Sequence, residues 1–362
     1  LNSIPAAIYL YDAEDKLILA NAMARVRHPT LSEFMKPGTP FPTLMTEVAK
    51  ILFSDESQRA EFITQRMREF RHIVRQVEQP GPNGEFLLGH DRRTTEGGTV
   101  SIRFDITEQK RIQQELEERE RTTNQELTLA AQVQRNVLQE LKPRPFIAEA
   151  HEFRPSAFVS GDIFHSDVED DGSFLFFLGD ATGHGVSAAL ITMLVKATLA
   201  AMPDAMPLQK MAEELNTRLL AYSLEGMYMS GIFIRITPGG ELTYCNAGHP
   251  AALIVGVDRK NKLESSGPPM GWFEGPGYEA ATTRLAAGDK VILLTDGLTE
   301  WANASGELLG AATVERVACS NAQLSSTLIL EALMDAAKEH GVGEQGDDDL
   351  SIFVFEYSPR FG

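Results

Sequence analysis

Cysteine is nearly missing: the 362 residues include two, Cys245 and Cys319. Two isolated thiols spell no metal or redox motif and cannot build a disulfide framework, so they fit a reducing, cytoplasmic setting. Positive charge is also short. Lys and Arg number 33 against 51 Asp and Glu, a formal net charge of −18. That balance argues against nucleic acid as a partner, because a phosphate backbone calls for clustered cations. Long apolar runs are lacking as well. Ala188–Met202 comes nearest to a membrane span, and Lys196 interrupts it. The chain opens at Leu1 with neither Met nor a signal peptide, as expected of a piece excised from a longer protein.

Thr107–Leu141 has no Gly and no Pro. It is rich in Glu, Gln and Arg, which favour helix. A seam of Ile112, Leu116, Arg119, Thr123, Leu127, Ala130, Gln134, Val137 and Leu141 runs along it, apolar at both ends and polar at Arg119 and Thr123. So narrow a stripe rarely holds a long helix alone, which predicts a parallel two-helix coil in a homodimer. Pro143 and Pro145 end it. The helix divides the chain into residues 1–106, a linker at 107–142, and residues 143–362.

Residues 1–106 read as a small α/β module. Ile8–Tyr11 and Leu17–Leu19 are predicted strands, Glu47–Val77 is predicted helical for most of its length, and Glu85–Leu88 pairs with Thr99–Phe104. With Asn21 after the first hairpin and Asp105-Ile106-Thr107 closing the last strand, the module resembles a PAS sensor domain. The family's flavin-binding subset uses a Cys-containing motif, which these residues lack. His28, His72 and His90 are read as scattered core or surface histidines rather than haem ligands. The PAS ligand is unknown from sequence.

Beyond Pro145 several carboxylates stand at strand ends. Val291–Leu294 runs into Thr295-Asp296-Gly297, Phe174–Leu178 runs into Gly179-Asp180, and Phe153–Ser160 leads to Gly161-Asp162. Asp347-Asp348-Asp349 stands directly before the predicted strand Leu350–Glu356. If these strands share one core, their carboxylates gather on one rim, and such a rim suits a hard metal ion. Strands arrive in runs and helices in pairs, which predicts an α+β class rather than a doubly wound sheet. A single Gly-Asp or Asp-Gly is usually only a turn. Neither cysteine lies in an activating motif, which argues against a covalent Cys mechanism.

Ser160-Gly161-Asp162, GDATGHG (Gly179–Gly185), Asn246–Pro250, Thr295-Asp296-Gly297 with Glu300 and Asn303, and Asp348-Asp349-Leu350-Ser351 occur in the order of the metal-dependent (PPM-type) protein serine/threonine phosphatases. They are most similar to the bacterial SpoIIE/RsbU branch, as is the preceding Ala130-Ala131-Gln132-Val133-Gln134 with Leu138 and Pro143. The resemblance implies an α-β-β-α sandwich with two Mn2+ or Mg2+ ions. It implies Asp162, Asp180, Asp296 and Asp348 as metal carboxylates and Ala181 as a backbone-carbonyl ligand. It also implies a phosphorylated anti-sigma-factor antagonist, or similar regulatory protein, as substrate. Asp347 and Asp349 are read as solvated or as standing just behind the ligands, His184 as a donor to a metal-bound water or as part of a helix start, His249 as bracing a turn, and Glu300 and Asn303 as supporting the loop after Asp296. Arg154 is read either as a surface residue or as a group that grips phosphate. One departure stands out: a family carboxylate is replaced by His165, which can serve as a neutral ligand or donor, with Asp167 near enough in sequence to compensate, unless neither residue bears on the site. Two rival readings remain at this stage, a phosphoprotein-binding scaffold without turnover and a phosphatase of small molecules.

Overall fold

The computed structural model describes residues 4–71, 76–80, 84–137, 141, 144–183, 185–222, 226–275, 277–341 and 348–359. It divides into two compact units, Leu1–Thr122 and Thr123–Gly362, so the division falls inside the linker helix Thr107–Val137. The expected His72, His184, Leu138, Pro143 and Asp347 lie outside the described residues.

The first unit is built on one antiparallel sheet, ordered Leu17–Ala20, Ala7–Tyr11, Thr99–Asp105, Phe86–Arg93, Gln76–Pro80. Asn21 joins the first hairpin to the helix Ala22–Arg27, its side chain accepting from Ala24 N and Ile8 N, both at 3.0 Å. The long helix expected from Glu47 is two, Phe41–Leu52 and Glu56–Arg71. Pro42 begins the first of them, where its missing N–H costs nothing. The Asp55 carboxylate accepts from Gln58 N at 2.9 Å and starts the second. Phe41 stacks on Phe70 with ring centroids 3.7 Å apart, and Tyr11 meets both edge-on.

The second unit carries two five-stranded antiparallel sheets. One runs Ala281–Arg284, Glu241–Ala247, Met229–Ile236, Phe174–Ala181, Asp162–Val168. The other runs Arg259–Leu263, Ala252–Gly256, Lys290–Leu294, Leu350–Tyr357, Ile147–Arg154. Strand alternation explains the layering. Phe174, Phe176, Ile232 and Ile234 face Val291, Leu293, Phe353 and Phe355 between the sheets. Their neighbours Leu175, Phe177 and Phe233 turn outward onto the helices Val186–Ala200 and Leu208–Tyr222. On the far side Ile292, Leu294, Ile352 and Val354 meet Ala311–Ser320 and Ser326–His340. Helices on both outer faces of two packed sheets make the α-β-β-α sandwich. Runs such as FLFFL are apolar at every position because each strand is covered on both faces.

Candidate active site

Both sheets deliver carboxylates to one end of the sandwich. Asp162 opens its strand and lies opposite Asp180 in the register of the neighbouring strand. In the second sheet Lys290–Leu294 pairs with Leu350–Tyr357, Leu294 opposite Ile352. Asp296, two residues past one strand, and Asp348, two before the other, therefore leave the sheet at the same end. Gly297 permits this crossing. A Cβ there would come within 2.0 Å of the Asp349 carbonyl oxygen, so no other residue lets the two loops pass so closely.

Asp162 ties the sheets together. It is 1% exposed, and its Oδ2 accepts from Thr295 Oγ1 at 2.8 Å and Ser351 Oγ at 2.5 Å. Those two residues are themselves locked, Thr295 N donating to Ser351 O and Ser351 N to Thr295 Oγ1. Burial, and then the charge of Asp180, push the Asp162 carboxyl well above the usual carboxylate range despite the two hydroxyls. Asp180 is pushed up to about 8 by burial and by Asp296, Asp348, Asp349 and Glu300. Asp296 is raised by burial and by Asp348 and Glu300. Asp162 faces Asp180 in register, and the ends of the strands next to Asp296 and Asp348 meet Asp162 through Thr295 and Ser351, so the four acids stand at one end of the sandwich with Asp180 nearest the other charges. Ala181 follows Asp180 at the strand end, its N–H donating to Gly161 O at 3.1 Å.

Among the described residues no three acidic, histidine or cysteine side chains form a ready-made ligand set. Like charges resist such closure without a counter-ion. The donor chemistry nevertheless fits hard dications: the acids crowd at buried strand ends, and no cation stands among the leading influences on Asp162 or Asp180.

Two residues do more than the sequence suggests. Asp349 is not solvated. Its Oδ1 accepts from Ser156 N at 2.6 Å and Ser156 Oγ at 2.9 Å, and its Oδ2 from Ser160 Oγ at 2.8 Å and Gly161 N at 2.7 Å. It thus pins the turn that presents Asp162. Gln134 grips the same turn from the linker helix, donating to Ser160 O at 2.7 Å and accepting from Ser160 N at 3.0 Å. Its Nε2 also reaches Thr192 Oγ1 at 2.9 Å. Gln134 therefore leaves the predicted seam and faces its own domain, beside Ala131, which packs on Val159 and Ala189. The Asp-Asp-Asp run and the Gln-rich helix gave no sign of these bonds, which join residues far apart in sequence.

The remaining candidates separate. Ile163 faces the helix layer and Phe164 the space between the sheets, so alternation puts His165 on the helix side, opposite Asp162. His165 is no stand-in for a metal carboxylate, and Asp167, on the same side, does not restore one. His249 braces its turn as expected, its N–H donating to Asn246 Oδ1 at 2.9 Å and its Nδ1 lying 2.8 Å from Ser230 Oγ. Asn303 accepts from Ser305 N and Glu307 N, both at 3.0 Å, and shapes the loop beyond Asp296. Glu300 N donates to Asp296 O at 2.7 Å, and its carboxylate adds to the charge at the site. Arg154 closes its strand opposite Leu350 and pairs with Glu152 at 2.5 Å.

A family model described as Stage II sporulation protein E (SpoIIE) matches residues 170–358, just over half of the chain, and a PAS fold model matches residues 1–114. Phosphoserine phosphatase RsbP of Bacillus subtilis (strain 168) is 26% identical over 185 residues, covering 49% of this chain and 46% of that protein. Phosphoserine phosphatase RsbU of the same organism is 25% identical over 218 residues, covering 58% of this chain and 64% of that one. The chain thus spans less than two thirds of either relative. Among solved structures, the SiaA-PP2C domain of Pseudomonas aeruginosa superposes with a TM-score of 0.57 at 19% identity, over 66% of this chain and 98% of that domain. The RsbU and RsbW domains of Rv1364c from Mycobacterium tuberculosis give 0.50 at 23%, over 61% of this chain and 64% of theirs. Those two likenesses speak for the sandwich fold. With the matched stretch covering the strands that carry Asp180, Asp296 and Asp348, the chain belongs to the SpoIIE family and bears a PAS fold ahead of that domain.

Proposed function

We propose that the second unit hydrolyses phosphoserine or phosphothreonine on a regulatory protein of the anti-sigma-factor antagonist type. The observation that carries this reading is that the strands bearing Asp162 and Asp180, and those ending at Asp296 and beginning after Asp348, pair in register and bring these acids to one end of the sandwich. In this proposal the four carboxylates and the Ala181 carbonyl hold two Mn2+ or Mg2+ ions. Such ions supply Lewis acidity and a hydroxide nucleophile at neutral pH. Asp162 is held through its Oδ2 by Thr295 and Ser351. Asp349 and Gln134 fix the turn before it from opposite sides. The names of RsbP and RsbU as phosphoserine phosphatases support the substrate class.

We assign control of this site to the PAS unit through the linker helix, acting in a homodimer. Support comes from Gln134, which joins the last turns of that helix directly to the Asp162 turn. Phosphate release from a phosphoserine antagonist-type protein, followed with and without manganese, tests the activity. Manganese-dependent release is expected. Saturable binding of the phosphoprotein with no release would instead establish the scaffold reading.

A further inference from the structure

Ser230 and His249 form a pair at the edge of the acid site that the four carboxylates do not account for. Asp180 lies opposite Asp162 on one neighbouring strand and opposite Ser230 on the other. Leu178 and Ile232, two residues deeper in each strand, face the space between the sheets, so alternation turns Asp180 and Ser230 to that side. Side chains directly opposite on paired strands stand about 5 Å apart at Cβ, which puts the Ser230 hydroxyl beside the Asp180 carboxylate. Ser230 is half-buried and still open to solvent, whereas His249 behind it is 4% exposed.

The turn that carries His249 aims its ring. Asn246, fully buried, accepts from His249 N at 2.9 Å and donates from Nδ2 to His249 O at 3.1 Å. The same Nδ2 reaches Leu263 O at 3.1 Å. Gly248 has φ +71°, and a Cβ there would come within 2.6 Å of the Pro269 ring, so only glycine makes this turn. His249 Nδ1 lies 2.8 Å from Ser230 Oγ, and Nε2 is buried without a full hydrogen bond among the described residues. The Leu294 carbonyl, at the end of a strand of the other sheet, stands close enough to favour an N–H on the ring. Burial keeps the ring neutral, so it carries one N–H. With that N–H at Nε2, Nδ1 is an acceptor and Ser230 Oγ–H donates to it.

Ser230 then offers only lone pairs to the site, as the Asp180 carboxylate does. Two acceptors side by side do not bond each other; a water donating to both fits between them and keeps its own lone pairs free. We propose that Ser230, its proton given to His249 Nδ1, is a further catalytic residue that accepts a hydrogen bond from the attacking water beside Asp180, with His249 as its positioning residue. This rests on the phosphatase reading above. In the hydrolysis the water oxygen bonds to phosphorus as the bond from phosphorus to the seryl oxygen breaks. One water proton leaves with the serine hydroxyl, the other stays on the phosphate, and Ser230 neither gains nor loses one.

The test compares Ser230→Ala and Ser230→Thr with the parent in the full chain. Three quantities are read: phosphate release from a phosphoserine antagonist-type protein, manganese binding by calorimetry, and the ring nitrogens of His249 by 15N NMR without metal. Ser230→Ala should lower kcat about a hundredfold with KM and the manganese isotherm unchanged, as for an interaction made to the reacting atoms alone. Ser230→Thr keeps the hydroxyl and should restore most of that loss. The NMR spectrum should show His249 protonated at Nε2 and bare at Nδ1, with the Nδ1 resonance moving in Ser230→Ala. Near-parental kcat in Ser230→Ala, a loss that Thr does not restore, a changed KM or manganese isotherm in place of the kcat loss, or a proton on Nδ1 would overturn the inference while leaving the phosphatase reading intact. A parent chain that releases no phosphate in manganese would overturn both.

Discussion

Asp349 accepts four hydrogen bonds from Ser156, Ser160 and Gly161, and it does so next to Asp348, a proposed metal carboxylate. Asp349→Asn would turn an amide NH2 toward donors. A loss of about 1–3 kcal/mol in stability is expected, with a raised manganese requirement, and urea unfolding beside a metal titration measures both. Asp347→Asn should be far milder; an equal loss there would mean that the wrong acid of the three has been assigned. His165 gives the opposite forecast. Because it lies on the helix side of its strand, His165→Asp should leave half-maximal manganese unchanged. A lower manganese requirement in that variant would place the side chain at the site after all. Asp296 and Asp180 were legible in the sequence because an apolar strand ending in Asp-Gly or Gly-Asp marks both burial and a turn. Asp349 was not, since its partners lie close to 190 residues away in the chain.

At the scale of elements, the turn Asn246–Pro250 holds a titratable group that sets an acid limit. Burial lowers His249 to about 3 from its ordinary 6.5. As pH falls through 6.5 the unfolded chain takes up a proton that the folded chain refuses until about 3, so stability is lost across that window. The slope from this one group is at most about 1.4 kcal/mol per pH unit. Urea midpoints compared between about pH 7 and about pH 5 should fall less in His249→Gln than in the parent; parallel losses would remove His249 as the cause. The strands of both sheets were legible wherever alternation or a continuous apolar run was strong. Arg259–Leu263 and Ala281–Arg284 were not, because these edge strands carry polar residues on exposed faces. The linker helix was plain from its lack of Gly and Pro, but its faces were not. Gln134 is committed to the second unit, while Ile112 and Leu116 stay 58% and 55% exposed. Arg119→Leu together with Thr123→Leu should strengthen the polar middle of the seam and fix activity high or low, whatever the first unit binds. Activity that still responds to that unit, in a confirmed dimer, would leave the helix a passive spacer.

At the scale of the whole molecule, a PAS fold, a helix and an α-β-β-α sandwich follow one another on one chain. Among the described residues no helix is long and apolar enough to cross a membrane. Ile112 and Leu116 of the predicted seam are open to solvent, which leaves that part of the linker free for the proposed dimer contact. Light scattering at micromolar concentration should return twice the chain mass, and a monomer with the full helix present would dismiss the coil. Asp296→Asn probes the proposed metal carboxylates directly. The substitution keeps the shape of the side chain while removing its charge. In saturating manganese, phosphate release from a phosphoserine protein should fall by orders of magnitude while the unfolding transition stays cooperative. Turnover close to that of the parent chain under the same conditions would contradict the assignment of the site.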